Sequence, residues 1–177
     1  MKEKYNHSSI RDNFSNGSVG NFLVDNIENE SNLSFVTAYF TIYAYEKLKP
    51  QLDNIKSLRL LFGEPRFIKN VSSTTEAKSY KIEDDQLVIP VENRLQQKVL
   101  AKQCSNWIKE KVDIKSMVRP DFLHGKLYHI EKQNGVEEAV TGSSNFTVNG
   151  LGLGTRPNIE LNLVVNDRRD LSDLKEW

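Results

Sequence analysis

The chain has 177 residues, 38% hydrophobic and 27% charged, enough for one domain of ordinary size with a buried core. Its 24 basic side chains balance 24 acidic ones, so bulk charge cannot hold a polyanion, and any phosphate-rich partner must be met by a local patch. No apolar run approaches the roughly 20 residues that span a bilayer, and the opening residues lack the apolar stretch of a secretory signal. Cys104 is the only cysteine, which rules out an internal disulfide and points to a reducing, cytoplasmic setting.

Residues 1–16 are polar and without period, and read as a flexible arm ahead of a domain over 17–177. Ser18 caps a first helix that carries Val19, Phe22, Leu23 and Ile27 at helical spacing. Leu33 to Phe40, rich in aromatic and β-branched residues, is a buried strand. A second helix takes Ile42, Tyr45, Leu48 and Leu52, weakened or ended near Pro50. Leu58 to Phe62 is a short strand stopped by Gly63-Glu64-Pro65, and the polar residues 66–85 form a surface loop long enough to cover a binding surface.

A long helix then spans Glu92 to Lys109, with Leu95, Val99, Leu100, Trp107 and Ile108 on its buried side, and Val112 to Val118 is a strand broken by Pro120. Between Lys98 and Arg119 the chain carries Lys98, Lys102, Lys109, Lys111, Lys115 and Arg119 against Glu110 and Asp113. That is either the local phosphate-binding patch, with Lys115 and Arg119 as its substrate-binding members, or a solvated helix face plus an edge strand. A hairpin follows, Leu123 to Ile130 and Val136 to Thr141, turned at Gln133-Asn134-Gly135. The glycine-rich stretch from Gly150 to Gly154 is a loop. Asn158 to Val165 is the last strand, and from Asp170 a final helix presents Leu171, Leu174 and Trp177. A helix cut off at a tryptophan suggests a piece of a longer protein. Strands alternating with helices give an α/β layer fold, and no internal repeat is present. Tyr39, Phe40, Tyr43 and Tyr45 are expected in the core, and Cys104 as an inert small core residue.

The chemistry concentrates between His124 and Glu160. His124 and Lys126, two apart on the expected strand, share a face. Lysine is almost never buried unpaired, but beside a phosphate it neutralises a non-bridging oxygen while neutral imidazole attacks phosphorus. Ser143 and Asn145 donate hydrogen bonds without adding charge. Glu160 could accept from the far nitrogen of His124 and fix its tautomer. Each residue alone also has a bland reading: a structural histidine, caps, an exposed strand acid. His129 reads as structural. Three scattered histidines and one cysteine offer no metal-ligand spacing, so no metal or other cofactor is expected.

Taken together, His124-Gly125-Lys126, Gly142-Ser143-Ser144-Asn145 and Asn158-Ile159-Glu160 resemble the signature of the phospholipase D superfamily, in a setting similar to members fused to helicases and restriction enzymes. The resemblance implies a central mixed β-sheet flanked by helices. It implies a metal-free, two-step displacement with His124 as nucleophile, Lys126 and Asn145 holding developing charge, and Glu160 as catalytic acid partner. Ser143 is then substrate-binding and Asn158 supporting. Where the family usually has aspartate five residues after the lysine, this chain has Glu131, expected to support the hairpin. The chemistry needs two histidines, but neither His7 nor His129 has a lysine two residues on. A homodimer that pairs two copies of His124, or a second motif elsewhere, would complete the site. The implied activity is nucleic-acid phosphodiesterase, DNA before RNA, as the nuclease module of a larger protein. The rivals are a module that binds phosphates without turnover and, last, a phospholipid hydrolase, for which no basic amphipathic helix or lipidation signal is visible.

Overall fold

The computed structural model describes residues 8–63, 91–117 and 123–176, with the side chains of residues 91–95 left out. In chain order they form β1 (Ile10–Arg11), α1 (Val19–Asn26), β2 (Asn32–Thr37), α2 (Ile42–Leu52), β3 (Ser57–Phe62), α3 (Val91–Lys111), β4 (Val112–Ser116), β5 (Lys126–Glu131), β6 (Glu137–Gly142), β7 (Asn162–Val165) and α4 (Arg168–Glu176). The seven strands make one mixed sheet in the order β1-β7-β6-β5-β2-β3-β4. β2, β3 and β4 run parallel, while β5 is antiparallel to β2, and β6, β7 and β1 continue antiparallel outward. The α/β class and the mixed sheet flanked by helices are as the sequence led one to expect.

Side-chain alternation splits the sheet into two faces. Leu33, Phe35, Leu58, Leu60, Tyr128, Ile130 and Val140 point into the main core, where α1, α2 and α3 pack against them. Val36, Leu127 and Ala139 point the other way and are covered by Leu171 and Leu174 of α4. Three helices therefore lie on one face and one on the other. Ser18 and Thr41 cap α1 and α2, their hydroxyls accepting from Asn21 N at 3.0 Å and Ala44 N at 3.3 Å.

The second helix ends near Pro50 as expected, although it takes in Pro50 itself and stops two residues later at Leu52. Proline costs a helix interior about 3 kcal/mol, but Leu48 and Leu52 are both fully buried, and burying two leucines offsets that at about 1.5–3 kcal/mol each. Several expectations need correction. Val99 is 58% exposed, because the inward stripe of α3 is Leu100, Cys104 and Trp107, about 100° round the helix from it. Residues 8–16 are not a loose arm. Ile10 and Arg11 pair with Leu163 and Asn162, and Asn13 is buried in the left-handed region at φ 67°. The last strand is shorter than expected, since its pairing with β6 begins only at Asn162. Arg119, Pro120 and the expected loop 66–85 lie outside the described residues.

The hairpin turns where Asn-Gly predicts. Gly135 takes φ 79°, its N–H donates to Lys132 O at 2.9 Å, and Lys132 N donates to Val136 O at 2.9 Å. Beyond the turn Glu131 and Glu137 stand directly opposite each other, a repulsive pairing. Lys175 of α4 sits between them, 2.7 Å from Glu131 and 3.0 Å from Glu137, and so fastens α4 to the sheet.

Candidate active site

The antiparallel register gathers the motif residues at one end of the sheet. Lys126 begins β5 opposite Gly142, which ends β6, and Gly142 lies opposite Asn162, which begins β7. β2 ends at the same edge, with Val36 opposite Leu127 and Thr37 one residue further on. His124 is exposed and precedes β5 by two residues, so it stands at the mouth of this edge and not on the strand. Lys126 Nζ donates to the His124 carbonyl at 2.8 Å, holding the ammonium beside that residue with two further N–H groups to give.

Gly142 has to be glycine. A Cβ there would lie 2.3 Å from Leu161 O and 2.6 Å from Asn162 Cα, closer than any side chain tolerates, so the β6 and β7 backbones meet only without one. The segment after it is anchored from below. Asn162 is buried, accepting from Ser144 N at 3.1 Å and donating to Ser144 Oγ and Arg11 O at 3.0 Å each. Tyr128 donates its hydroxyl to Ser144 O at 2.8 Å. Burial, chiefly, with the charge of Glu160 adding, holds that phenol above its ordinary range, so it is a fixed neutral donor.

Asn145 is oriented by main chain. Its Oδ1 accepts from Ala38 N and Tyr39 N, both at 3.2 Å. The Thr37 hydroxyl lies 3.4 Å from the same oxygen but 2.9 Å from Tyr39 O, the better acceptor for its single proton. With the amide oxygen committed, what Asn145 can offer a ligand is its NH2 group, a pair of donors. Thr37 Oγ1 in turn accepts from Phe146 N at 3.0 Å.

Glu160 is held by its motif neighbours. Ser143 Oγ donates to Glu160 Oε2, Asn158 Nδ2 donates to Oε1 at 3.3 Å, and Leu161 N donates back to Ser143 Oγ at 3.0 Å. The Ser143 hydroxyl is therefore spent on positioning Glu160 and is not left for substrate. Asn158 is supported from the N-terminal residues, since Asn13 Nδ2 donates to Asn158 O at 3.1 Å and to Gly150 O at 3.0 Å.

A family model described as cardiolipin synthase, PLD-like domain matches residues 23–177. The chain belongs to this phospholipase D-like family. Among solved structures, the PLD-like chain is similar to a mutant of yeast tyrosyl-DNA phosphodiesterase 1, at 17% identity and TM-score 0.45 over 81% of this chain and 27% of that one. It is also similar to yeast tyrosyl-DNA phosphodiesterase, at 16% identity and TM-score 0.42 over 76% of this chain and 25% of that one. It thus spans about a quarter of the length of those chains. No curated protein matches it.

Within the PLD-like domain, Lys126, Ser143, Asn145, Asn158 and Glu160 converge on one edge, with His124 at its mouth. Two other expected residues stand elsewhere. Lys115 opposes Leu61, which pairs with Val36, so it belongs to the α4 face, in a groove with Arg59, Asp113 and Leu174. The basic stretch is not one patch: α3 packs on the main-core face, and Lys111 donates to Ile55 O at 2.7 Å, before the start of β3 and far from the motif edge. Glu131 sits at the far end of β5 from Lys126, bonded to Lys175, and this bond holds its carboxyl below the ordinary range. The aspartate-to-glutamate departure from the family pattern thus falls on α4 docking.

Thr37 and Asn162 carry no expectation from sequence and Tyr39 only that of a core residue, although each shapes the site. Only Asn162 left a trace there, two residues after Glu160 on the same face. His129 is buried on the α4 face, its Nε2 4.0 Å from Glu137 and, among the described residues, without a hydrogen-bond partner. Cys104 is buried and its thiol is pushed up to about 11, which removes it from thiolate chemistry. Among the described residues no group of three or more His, Cys, Asp or Glu could hold a metal ion, and no helix is long and apolar enough to cross a membrane.

Proposed function

We propose that this PLD-like domain is a phosphodiesterase that cleaves nucleic acid, DNA before RNA, through a phosphohistidine on His124. The observation that carries the reading is the convergence of Lys126, Asn145 and Glu160 on the sheet edge where His124 emerges. The Lys126 ammonium and the Asn145 NH2 group neutralise the non-bridging oxygens of a phosphodiester, charge that grows in the transition state. An imidazole nitrogen of His124 forms a bond to phosphorus as the bond to the leaving nucleoside oxygen breaks, and a second imidazole gives that oxygen its proton. Water then attacks phosphorus, yields a proton to the second imidazole, and returns the P–N electrons to His124. Glu160, locked by Ser143 and Asn158, is the acid that orients the imidazole.

The second imidazole is His124 of another copy across a two-fold axis, or a second motif in a longer protein in which this domain is the nuclease module of a helicase or restriction enzyme. A second reading, hydrolysis of a phospholipid phosphodiester by the same residues, is favoured only by the family's description.

Labelled single- and double-stranded DNA, RNA and phosphatidylglycerol vesicles, incubated in excess EDTA with the native chain and with His124→Ala, separate the readings. Cutting of DNA that vanishes in the variant supports the proposal. Salt-sensitive binding without cutting by any assembly of the chain overturns it in favour of a phosphate-binding module, and hydrolysis of lipid alone overturns it in favour of the second reading.

A further inference from the structure

The four aromatic residues around the end of β2 do not share one fate. Tyr45 is buried in the core, in contact with Trp107 at a centroid distance of 4.9 Å. Phe40 stacks on Phe146 at 5.0 Å and 5°. Tyr39, between β2 and α2, is 51% exposed, a correction to the expectation that it is a core residue.

The main chain that carries this ring is fixed on every side. Tyr39 N donates to Asn145 Oδ1 at 3.2 Å, and Tyr39 O accepts from the Thr37 hydroxyl at 2.9 Å. Thr41 N donates to Phe146 O at 3.1 Å, and Phe40 and Phe146 form a β-bridge. An exposed large aromatic on so rigid a backbone gains nothing for the core, and it costs little entropy when a ligand settles on it. Tyr39 N bonds the oxygen of the same Asn145 amide whose NH2 group is assigned above to the phosphate, which sets the Tyr39 backbone beside the candidate site.

We propose that Tyr39 is a stacking platform for an unpaired nucleobase next to the scissile phosphate, which makes single-stranded or locally opened nucleic acid the substrate class. This inference rests on the nucleic-acid reading above and deepens it. A base presents a π-face whatever its identity, so such a platform adds affinity without sequence preference. Tyr43, also exposed, has its hydroxyl accepting from Gln97 at 2.6 Å and lies on the helix beyond the cap, so it is not a second member.

The test uses the full chain carrying His124→Ala, in EDTA, so that bound strands stay intact. Dissociation constants are measured for a labelled single-stranded DNA oligonucleotide and for an oligomer of the same length built of abasic units. Tyr39→Ala is expected to weaken binding of the base-bearing strand about tenfold or more and to leave the abasic oligomer unchanged, while Tyr39→Phe binds both as the parent does. Equal binding of the base-bearing strand by parent and Tyr39→Ala overturns the inference and leaves the nucleic-acid reading standing. An equal loss on both oligomers also overturns it, because the effect is then on the backbone site. If the parent binds neither oligomer but binds phosphatidylglycerol or phosphatidylcholine vesicles in a Tyr39-dependent way, both readings fall and the ring belongs to a lipid headgroup site.

Discussion

Asn145 lets structure and chemistry be pulled apart at a single residue. Its Oδ1 accepts from two main-chain amides, Ala38 N and Tyr39 N at 3.2 Å, and its NH2 group is what remains for phosphate. Asn145→Ala removes the one oxygen that accepts both bonds. At roughly 1 kcal/mol for each hydrogen bond the loss is about 2 kcal/mol, which lowers the Tm of a domain this size by about 4–8 °C. Asn145→Asp keeps an oxygen for both amides, now charge-assisted, yet replaces the donor with a negative charge aimed at the phosphate. Thermal unfolding followed by circular dichroism should place Asn145→Asp within about 2 °C of the parent on that reasoning. Its cleavage in EDTA should nonetheless fall by about 100-fold or more, the scale for removing one donor from an oxyanion site. The reasoning is refuted if Asn145→Asp cuts at the parent rate, because the NH2 group is then idle. It is refuted equally if Asn145→Asp unfolds as early as Asn145→Ala, because the amide clamp is then not what orders the segment.

Two further outcomes follow from the packing. Gly142→Ala places a Cβ against the Leu161 carbonyl and the Asn162 backbone, neither of which can rotate away. A loss of about 3 kcal/mol in urea unfolding is expected, and unchanged stability would mean β7 moves freely against β6. Burial, chiefly, holds His129 below its ordinary value of 6.5, with the Glu137 carboxylate opposing and the Lys175 ammonium reinforcing. Folding thus favours the neutral ring, so its contribution is whole above pH 6.5 and declines as the unfolded chain takes up protons below that value. Glu131, held low by Lys175, loses its own contribution further down, below its ordinary 4.5. His129→Leu should therefore flatten the stability profile in the window just below pH 6.5 and leave the acid limb in place, as read by denaturant midpoints across pH. A profile identical to the parent's would remove His129 from the account.

The motif chemistry was legible because it is local: His124 to Lys126, Gly142 to Asn145 and Asn158 to Glu160 are short segments whose residue types have few other uses together. Strand and helix positions followed from period and caps, as at Ser18 and at the Asn134-Gly135 turn. What sequence could not supply was pairing. Whether Lys115 faces the motif edge or α4 depends on its register with Leu61 and Val36, which no local pattern encodes. Ile10 and Arg11 make a two-residue strand, too short for any period, and their place is set by β7. The Ser143 hydroxyl looked free for substrate because Glu160, seventeen residues away, was not known to lie beside it. Tyr39 looked like core because its neighbours Phe40 and Tyr45 are.

The account stands most directly on the covalent role of His124. A radiolabelled single-stranded oligonucleotide, quenched in alkali during the first turnover and digested to peptides, shows where the chain is labelled. The account predicts label on the peptide bearing His124 through an acid-labile P–N bond, absent in His124→Ala and undiminished in His129→Leu. Rapid cleavage with no labelled peptide, or with label on another residue, would contradict it.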